Sequence, residues 1–227
     1  MSVLGVLMLD TRFPRPPGDV GNPASFEVPV RYRVVQGASP QRVVRERAHS
    51  LLQPFIDAGQ ALVAEGVAAI TTSCGFLVLF QQPLQAALPV PVWTSSLLLL
   101  PELQAAQGAC HVGVLTADAD SLSADHLAAA GAAADTPIEG LARGCAFQRC
   151  LLENQSTFDT DEAREATVDA ARRLLARHPD VTTIVLECTN LPPYADAVRA
   201  ATGCAVQDLT TLIAARFGRS HFVKRPS

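Results

Sequence analysis

The 227-residue sequence lacks the features by which several common classes of protein are recognised. No apolar run approaches the roughly 18 residues needed to span a bilayer, so we expect no membrane partner. The six cysteines form no C-x-x-C pair, no histidine stands at zinc-ligand spacing from one, and there is neither a G-x-G-x-x-G nor a Gly-rich phosphate loop. The sequence therefore predicts no metal, no nucleotide and no pyridoxal phosphate, and we expect no cofactor.

Positive charge and aromatic residues are also scarce. The net charge is −4 and aromatic residues make up 5%, which argues against a nucleic-acid partner held through its phosphates. Hydrophobic residues make up 48%, enough for a substantial core, and we predict an α/β protein. The apolar start at Ser2 to Leu9 has no basic segment and no small-residue cleavage site, so we predict a cytoplasmic protein with reduced thiols.

Two stretches of the chain share one pattern, an apolar strand that ends in hydroxyl residues and a cysteine. The first, Val67 to Phe76, ends in T-T-S-C-G-F, and the second, Val181 to Tyr194, ends in E-C-T-N-L-P-P-Y. Each cysteine, Cys74 or Cys188, would lie between the carboxyl end of a strand and a helix N-terminus. Backbone N–H groups and the helix dipole favour a thiolate at that place.

The spacing of these landmarks indicates an internal repeat. Cys74 and Cys188 are 114 residues apart, and so are Val92 and Val206. We therefore predict two similar parallel-sheet α/β domains related by pseudo-two-fold symmetry. Because ligands bind beyond the carboxyl ends of strands in such sheets, the active site is expected in the cleft between the domains, with a cysteine on each side.

Two facing thiols suit proton transfer at carbon. One thiolate can remove the Cα proton of a bound acid while the other thiol delivers a proton to the opposite face, because an ordinary thiol pKa of about 8.5 can be tuned toward neutrality. The carboxylate of the substrate then needs hydrogen-bond donors. The side chains at the strand ends that could serve as donors are those of Thr71, Thr72, Ser73, Thr116, Thr189 and Asn190.

The paired strand-end cysteines and the E-C-T-N-L-P-P-Y stretch resemble the aspartate/glutamate racemase superfamily, which also contains arylmalonate decarboxylase and maleate isomerase. The resemblance implies Cys74 and Cys188 as acid/base residues, Asp10 as an acidic residue near the first cysteine, and often a homodimer. It also implies that the last strand and helix return to the first domain. The expected domains are therefore 1–98 plus 204–227, and 99–203.

The flanks of both cysteines depart from the pattern of glutamate racemases. Those enzymes read Cys-Asn-Thr at the first site, where this chain has Cys74 followed by Gly75 and a phenylalanine. They read Cys-Thr-His at the second, where Asn190 replaces the histidine. The Pro-rich loop from Thr11 to Pro29 is long enough to be a functional lid. We expect its Asn22 and Ser25 to supply replacement contacts to substrate.

The sequence thus predicts a cofactor-independent racemase or epimerase of an amino acid or related carboxylate that uses two cysteines as bases. One alternative is a one-thiol decarboxylase or cis-trans isomerase of a dicarboxylate in the same fold, in which loss of one cysteine would be tolerated. The other is a non-catalytic small-molecule binder with ordinary thiol reactivity.

Overall fold

The computed structural model describes residues 2–220 and contains two four-stranded sheets in which every strand pair is parallel. The first sheet has the order β2-β1-β3-β4 and the second has the order β6-β5-β7-β8. The strands are β1 (Leu4–Leu9), β2 (Val30–Val35), β3 (Ala69–Thr72), β4 (Val92–Trp93), β5 (Val112–Thr116), β6 (Ile138–Gly140), β7 (Thr183–Leu186) and β8 (Ala205–Gln207). The identical order of the two sheets confirms the predicted pair of similar α/β units.

Eight α-helices accompany these strands within the described residues: α1 (Leu52–Ala64), α2 (Gln81–Ala87), α3 (Leu100–Gln107), α4 (Ala124–Ala130), α5 (Ala146–Leu152), α6 (Thr160–Arg177), α7 (Ala195–Thr202) and α8 (Leu209–Ser220). None of these described helices is long and apolar enough to cross a membrane. Short 3₁₀ turns follow the cysteine positions, at Gly75–Phe80 and Pro192–Tyr194.

Glycine lets the longest helix of each unit approach its central strand. A Cβ on Gly5 of β1 would come 3.1 Å from Leu62 of α1, and a Cβ on Gly113 of β5 would come 2.7 Å from Leu174 of α6. Interiors are packed too densely to absorb such contacts without rearrangement. The same packing solution therefore recurs at equivalent places in both units.

The end of the chain divides between the two units. The sequence places residues 204–227 with the first domain, but β8 pairs with β7 and completes the second sheet. The placement of this strand is thereby corrected, since β8 is the repeat of β4. Helix α8 does pack on the first sheet, where Leu212 and Ile213 join Leu4, Val6 and Trp93 in one apolar cluster. Residues 221–227 lie outside the described part of the chain.

Candidate active site

The two strand-end cysteines line one cavity of about 30 Å³. Cys74 lies two residues after β3, and Cys188 lies two residues after β7. Because β3 and β7 are equivalent strands, the repeat brings the thiols to a common site. The polar part of the wall consists of Ser73, Cys74, Gly75, Glu187, Cys188, Thr189 and Asn190, and the apolar part of Leu9, Phe13, Pro40, Val44, Phe76, Ala117, Leu151 and Leu152.

Both thiols are held in their neutral form when the site is empty. Burial, reinforced by the Glu187 carboxylate, raises the pKa of Cys74 to about 12. Burial and the same carboxylate raise the pKa of Cys188 well above its ordinary value. Hydrogen bonds from backbone N–H groups oppose these increases: those of Phe76 and Leu77 act on Cys74, and that of Asn190 acts on Cys188. These N–H groups are the donors expected at the turns that follow the strands.

Glu187 is a fully buried carboxyl group between the two halves of the site. Burial raises its pKa from an ordinary 4.5 to about 7, although a hydrogen bond from Thr116 lowers it in part. That bond joins Thr116 Oγ1 to Glu187 Oε2 at 2.6 Å, whereas Oε1 has no hydrogen-bond partner among the described residues. A Cβ on Gly75 would lie 2.3 Å from Oε1. Glycine at position 75 therefore makes room for the free oxygen.

Hydrogen bonds across the cavity connect the two cysteine loops and the Pro-rich loop. Thr189 Oγ1 donates to the Ser73 carbonyl oxygen at 2.7 Å, which ties the second cysteine loop to the first. The Cys188 thiol lies 3.5 Å from Asn190 Oδ1. The amide nitrogen of Asn190 donates to Asp19 Oδ2 at 2.5 Å. Asn190 therefore connects the thiol to the Pro-rich loop.

Asp19 anchors the Pro-rich loop in the protein. Its carboxylate is 1% exposed and accepts hydrogen bonds from Arg15 at 2.9 Å and from the Gly21 N–H at 2.6 Å. The Arg15 guanidinium also lies 4.8 Å from the centre of the Phe13 ring, a cation–π distance. Phe13 in turn forms part of the cavity wall. One buried ion pair thus holds the loop over the site.

The structure places six of the predicted site residues around the cavity and five elsewhere. The cavity is lined by Ser73, Cys74, Gly75, Cys188, Thr189 and Asn190. Asp10 accepts from the Gly37 N–H, Asn22 caps the turn at Pro23–Ser25, and Ser25 bonds to Asp19 and Gly18 within the loop. Thr72 donates to the Thr94 carbonyl and Thr116 to Glu187. Of these five, Thr72 and Thr116 bond to residues of the cavity wall, since Thr72 Oγ1 also donates to the Cys74 carbonyl oxygen at 3.0 Å.

Sequence reasoning did not select Phe13 and Asp19, and for Glu187 it left open whether the carboxylate orients a group or disfavours the neighbouring thiolate by like charge. Glu187 directly precedes the second cysteine in the motif, and a charged residue at the end of an apolar strand was a visible signal. Asp19 lies in the G-D-V-G-N-P turn cluster of the Pro-rich loop. Its partner Asn190 is 171 residues away, and no local pattern predicts that pairing.

Solved structures with the same fold define the class. Unliganded arylmalonate decarboxylase superposes with a TM-score of 0.64 and 18% identity, covering 100% of this chain and 97% of that one. The glutamate racemase RacE1 of Bacillus anthracis superposes with a TM-score of 0.61 and 18% identity, covering 96% and 81%. The chain therefore has the two-domain fold of the aspartate/glutamate racemases. No protein-family model matches it.

Relatives that match in sequence show the family within this fold. A dimethylsulfoniopropionate lyase of Durusdinium sp. clade D is 37% identical over 233 aligned positions, which cover 98% of this chain and 76% of the relative. Dimethylsulfoniopropionate lyase 7 of Emiliania huxleyi (strain CCMP1516) is 36% identical over 92% of this chain, which spans 64% of that protein. The chain belongs to the dimethylsulfoniopropionate lyase family.

These comparisons refine the expectation drawn from sequence. The predicted fold is confirmed. The relatives that match in sequence carry the names of lyases, so the expected isomerase class is not confirmed.

Proposed function

We propose that this chain is a lyase that cleaves dimethylsulfoniopropionate into dimethyl sulfide and acrylate. The observation that carries the proposal is the similarity, along 98% of the chain, to a lyase named for that compound. The cavity supports it, because it contains thiols that can move a proton and N–H groups that can hold a carboxylate.

The reaction is an elimination that needs one base. The substrate, (CH₃)₂S⁺–CH₂–CH₂–COO⁻, has acidic hydrogens on the carbon beside its carboxylate. A thiolate takes one of these protons, the electrons of the C–H bond form the carbon–carbon double bond, and the C–S bond breaks with its electron pair leaving on sulfur. Dimethyl sulfide departs as a neutral molecule and acrylate remains. The thiol then returns its proton to water.

We assign the base to Cys188. Cys188 is the more exposed residue of the two, and its thiol is oriented by Asn190, which Asp19 holds in turn. Negative charge that develops on the substrate carboxylate during proton removal needs donors that are already in place. The N–H groups of Phe76 and Leu77, which hydrogen-bond to Cys74, are suited to that task.

The size of the cavity implies that the substrate enters after a movement of the wall. A volume of about 30 Å³ holds no more than a few water molecules, whereas ligand pockets usually measure roughly 300 Å³ or more. Phe13 belongs to the wall and to the Pro-rich loop, so displacement of that loop would enlarge the site. Such closing loops exclude water from reacting groups in many enzymes.

A second candidate is a racemase or epimerase of an amino acid or related carboxylate. The observation that favours it is the presence of both thiols, at equivalent strand ends, on one cavity. Its first step is the same proton removal, but a second thiol then reprotonates the opposite face. Reactions of dicarboxylates have less support, because no Arg, Lys or His side chain among the described residues lines the cavity to hold a second carboxylate.

The decisive experiment offers the purified protein dimethylsulfoniopropionate in D₂O, with dimethyl sulfide measured by gas chromatography and acrylate by proton NMR. We expect the two products in equal amounts. Cys188→Ser should lower the rate at least ~100-fold, since a general base typically contributes that much. Cys110→Ser is the matched control, because Cys110 is exposed and does not line the cavity.

Other results would redirect the assignment. Absence of both products from the wild-type protein would refute the lyase proposal. Deuterium exchange at Cα of an amino acid that requires both Cys74 and Cys188, without release of a sulfide, would establish the racemase instead.

A further inference from the structure

Glu187 is a buried carboxyl group of the cavity that the proposed elimination does not use. Its side chain is 0% exposed and its Oε1 atom has no hydrogen-bond partner among the described residues. A buried carboxylate with one unpaired oxygen is unfavourable, and native proteins rarely keep a buried polar atom without a partner from protein, water or ligand. This oxygen is therefore a candidate for direct contact with substrate.

The charges around the cavity show what kind of group would satisfy Oε1. Apart from the two thiols, Glu187 is the only ionisable residue in the wall described here, and the thiols are neutral because burial raises the pKa of each. The nearest ion pair of the loop, Arg15 with Asp19, is internally neutralised. A ligand in the cavity thus meets one negative charge and no free positive charge.

The apolar part of the cavity wall favours one type of cation over another. It is lined largely by aliphatic side chains and by the rings of Phe13 and Phe76. An ammonium group with its N–H bonds would leave donors unsatisfied against such a wall. A cation covered by methyl groups has no donors to satisfy, and aromatic faces attract it.

We propose that Glu187 is the specificity-determining residue of this site, and that its Oε1 atom is the counter-charge for the methyl-covered cation of a zwitterionic substrate. The identification of that cation as a sulfonium rests on the proposed function. This role of Glu187 also requires Gly75, because any side chain at position 75 would fill the space over Oε1.

The arrangement also activates the base. The Glu187 carboxylate is the second-largest cause of the raised pKa of both thiols. A cation bound against it offsets this negative charge and so lowers the pKa of Cys188 while substrate is present. The thiolate then forms when there is a proton to remove, and the empty site keeps a neutral thiol.

The test compares two ligands of the same shape that differ only in charge, 3-(trimethylammonio)propanoate and 4,4-dimethylpentanoate. Their dissociation constants are measured by titration calorimetry at pH 8.5, and neither measurement requires turnover. We expect the wild type to bind the cationic ligand at least tenfold more tightly and Glu187→Gln to bind the two within a factor of about two. Glu153→Gln removes a charge from an exposed side chain just after α5 and should keep the wild-type preference.

A second measurement covers the case in which Glu187→Gln does not fold. Between pH 5.5 and 8.5, the preference of the wild type for the cationic ligand should grow about tenfold as Glu187 loses its proton. The groups facing it are the thiols of Cys74 and Cys188, whose pKa values lie above this range in the ligand-free protein, the Thr116 hydroxyl, and beyond them Asp19 paired with Arg15.

Equal affinity of the wild type for both ligands, or an unchanged preference in Glu187→Gln, would overturn the inference. These failures are distinct from failure of the lyase proposal. A protein that releases dimethyl sulfide but shows no charge preference retains the function and loses this role of Glu187. A protein with a preference that depends on Glu187 but without lyase activity retains the role and loses the function.

Discussion

Replacement of Glu187 by glutamine should stabilise the empty protein at alkaline pH. The pKa of this carboxyl rises from 4.5 to about 7 on burial, so between these values the folded state holds a proton that the unfolded chain has released. Stability therefore falls as pH rises from about 4.5 to 7 and stays reduced above that range. At 1.36 kcal/mol per pH unit, the loss amounts to about 3 kcal/mol.

Glutamine has the same shape but cannot ionise, so Glu187→Gln should escape this loss. For a chain of this length, 1 kcal/mol corresponds to roughly 2–4 °C in Tm, and the variant should melt about 6–12 °C above the wild type at pH 8. At pH 4.5 the two should melt within about 2 °C of each other. The assay is thermal unfolding followed by circular dichroism at both pH values, with no ligand present.

Glu153→Gln serves as the control for the substitution itself. Its side chain is exposed, and surface substitutions usually change stability by no more than about 0.5 kcal/mol. The reasoning would be refuted if Glu187→Gln melted at or below the wild-type temperature at pH 8, or if its advantage persisted unchanged at pH 4.5. The first result would mean that Glu187 already has a partner for its charge, and the second would mean that the gain in stability does not come from removing that charge.

Two further substitutions probe the surroundings of this group. Asp19→Asn should raise KM about tenfold or more with a smaller change in kcat. The Asp19 carboxylate holds Asn190 and Arg15 in place, and hydrogen bonds to charged groups contribute about 1.5–3 kcal/mol. Steady-state kinetics with an unchanged KM would contradict this prediction. Gly75→Ala should lower both the activity and the Tm, because the alanine Cβ would come 2.3 Å from Glu187 Oε1. The loss of stability should be about 1–3 kcal/mol. A fully active variant of normal Tm would show that the close approach of Gly75 to Glu187 is not needed.

The sequence predicted the fold well because its determinants are local. Apolar strands, turn residues and the 114-residue offset between equivalent landmarks all lie in short segments. The two cysteines were likewise found from their strand-end context. The placement of β8 was wrong because it was transferred from a resemblance, whereas the repeat of Val92 at Val206 already indicated the second sheet.

The sequence did not predict which groups the polar side chains of the Pro-rich loop bond to. Asn22 and Ser25 have the residue types of substrate ligands, yet both satisfy the backbone of their own loop. Polar residues in Pro/Gly-rich loops commonly make such local bonds. The pairing of Asp19 with Asn190, in contrast, depends on how that loop lies across the second unit, which no periodicity encodes.

The position of α8 has a consequence for synthesis of the chain on the ribosome. The first sheet is complete in sequence at Trp93, but the helix that covers Leu4 and Val6 begins only at Leu209. At about 5–20 residues per second, translation of the intervening residues takes roughly 6–23 seconds. For that interval the nascent first unit presents an uncovered apolar face. We therefore expect chaperones to bind this face of the growing chain and to leave when α8 emerges.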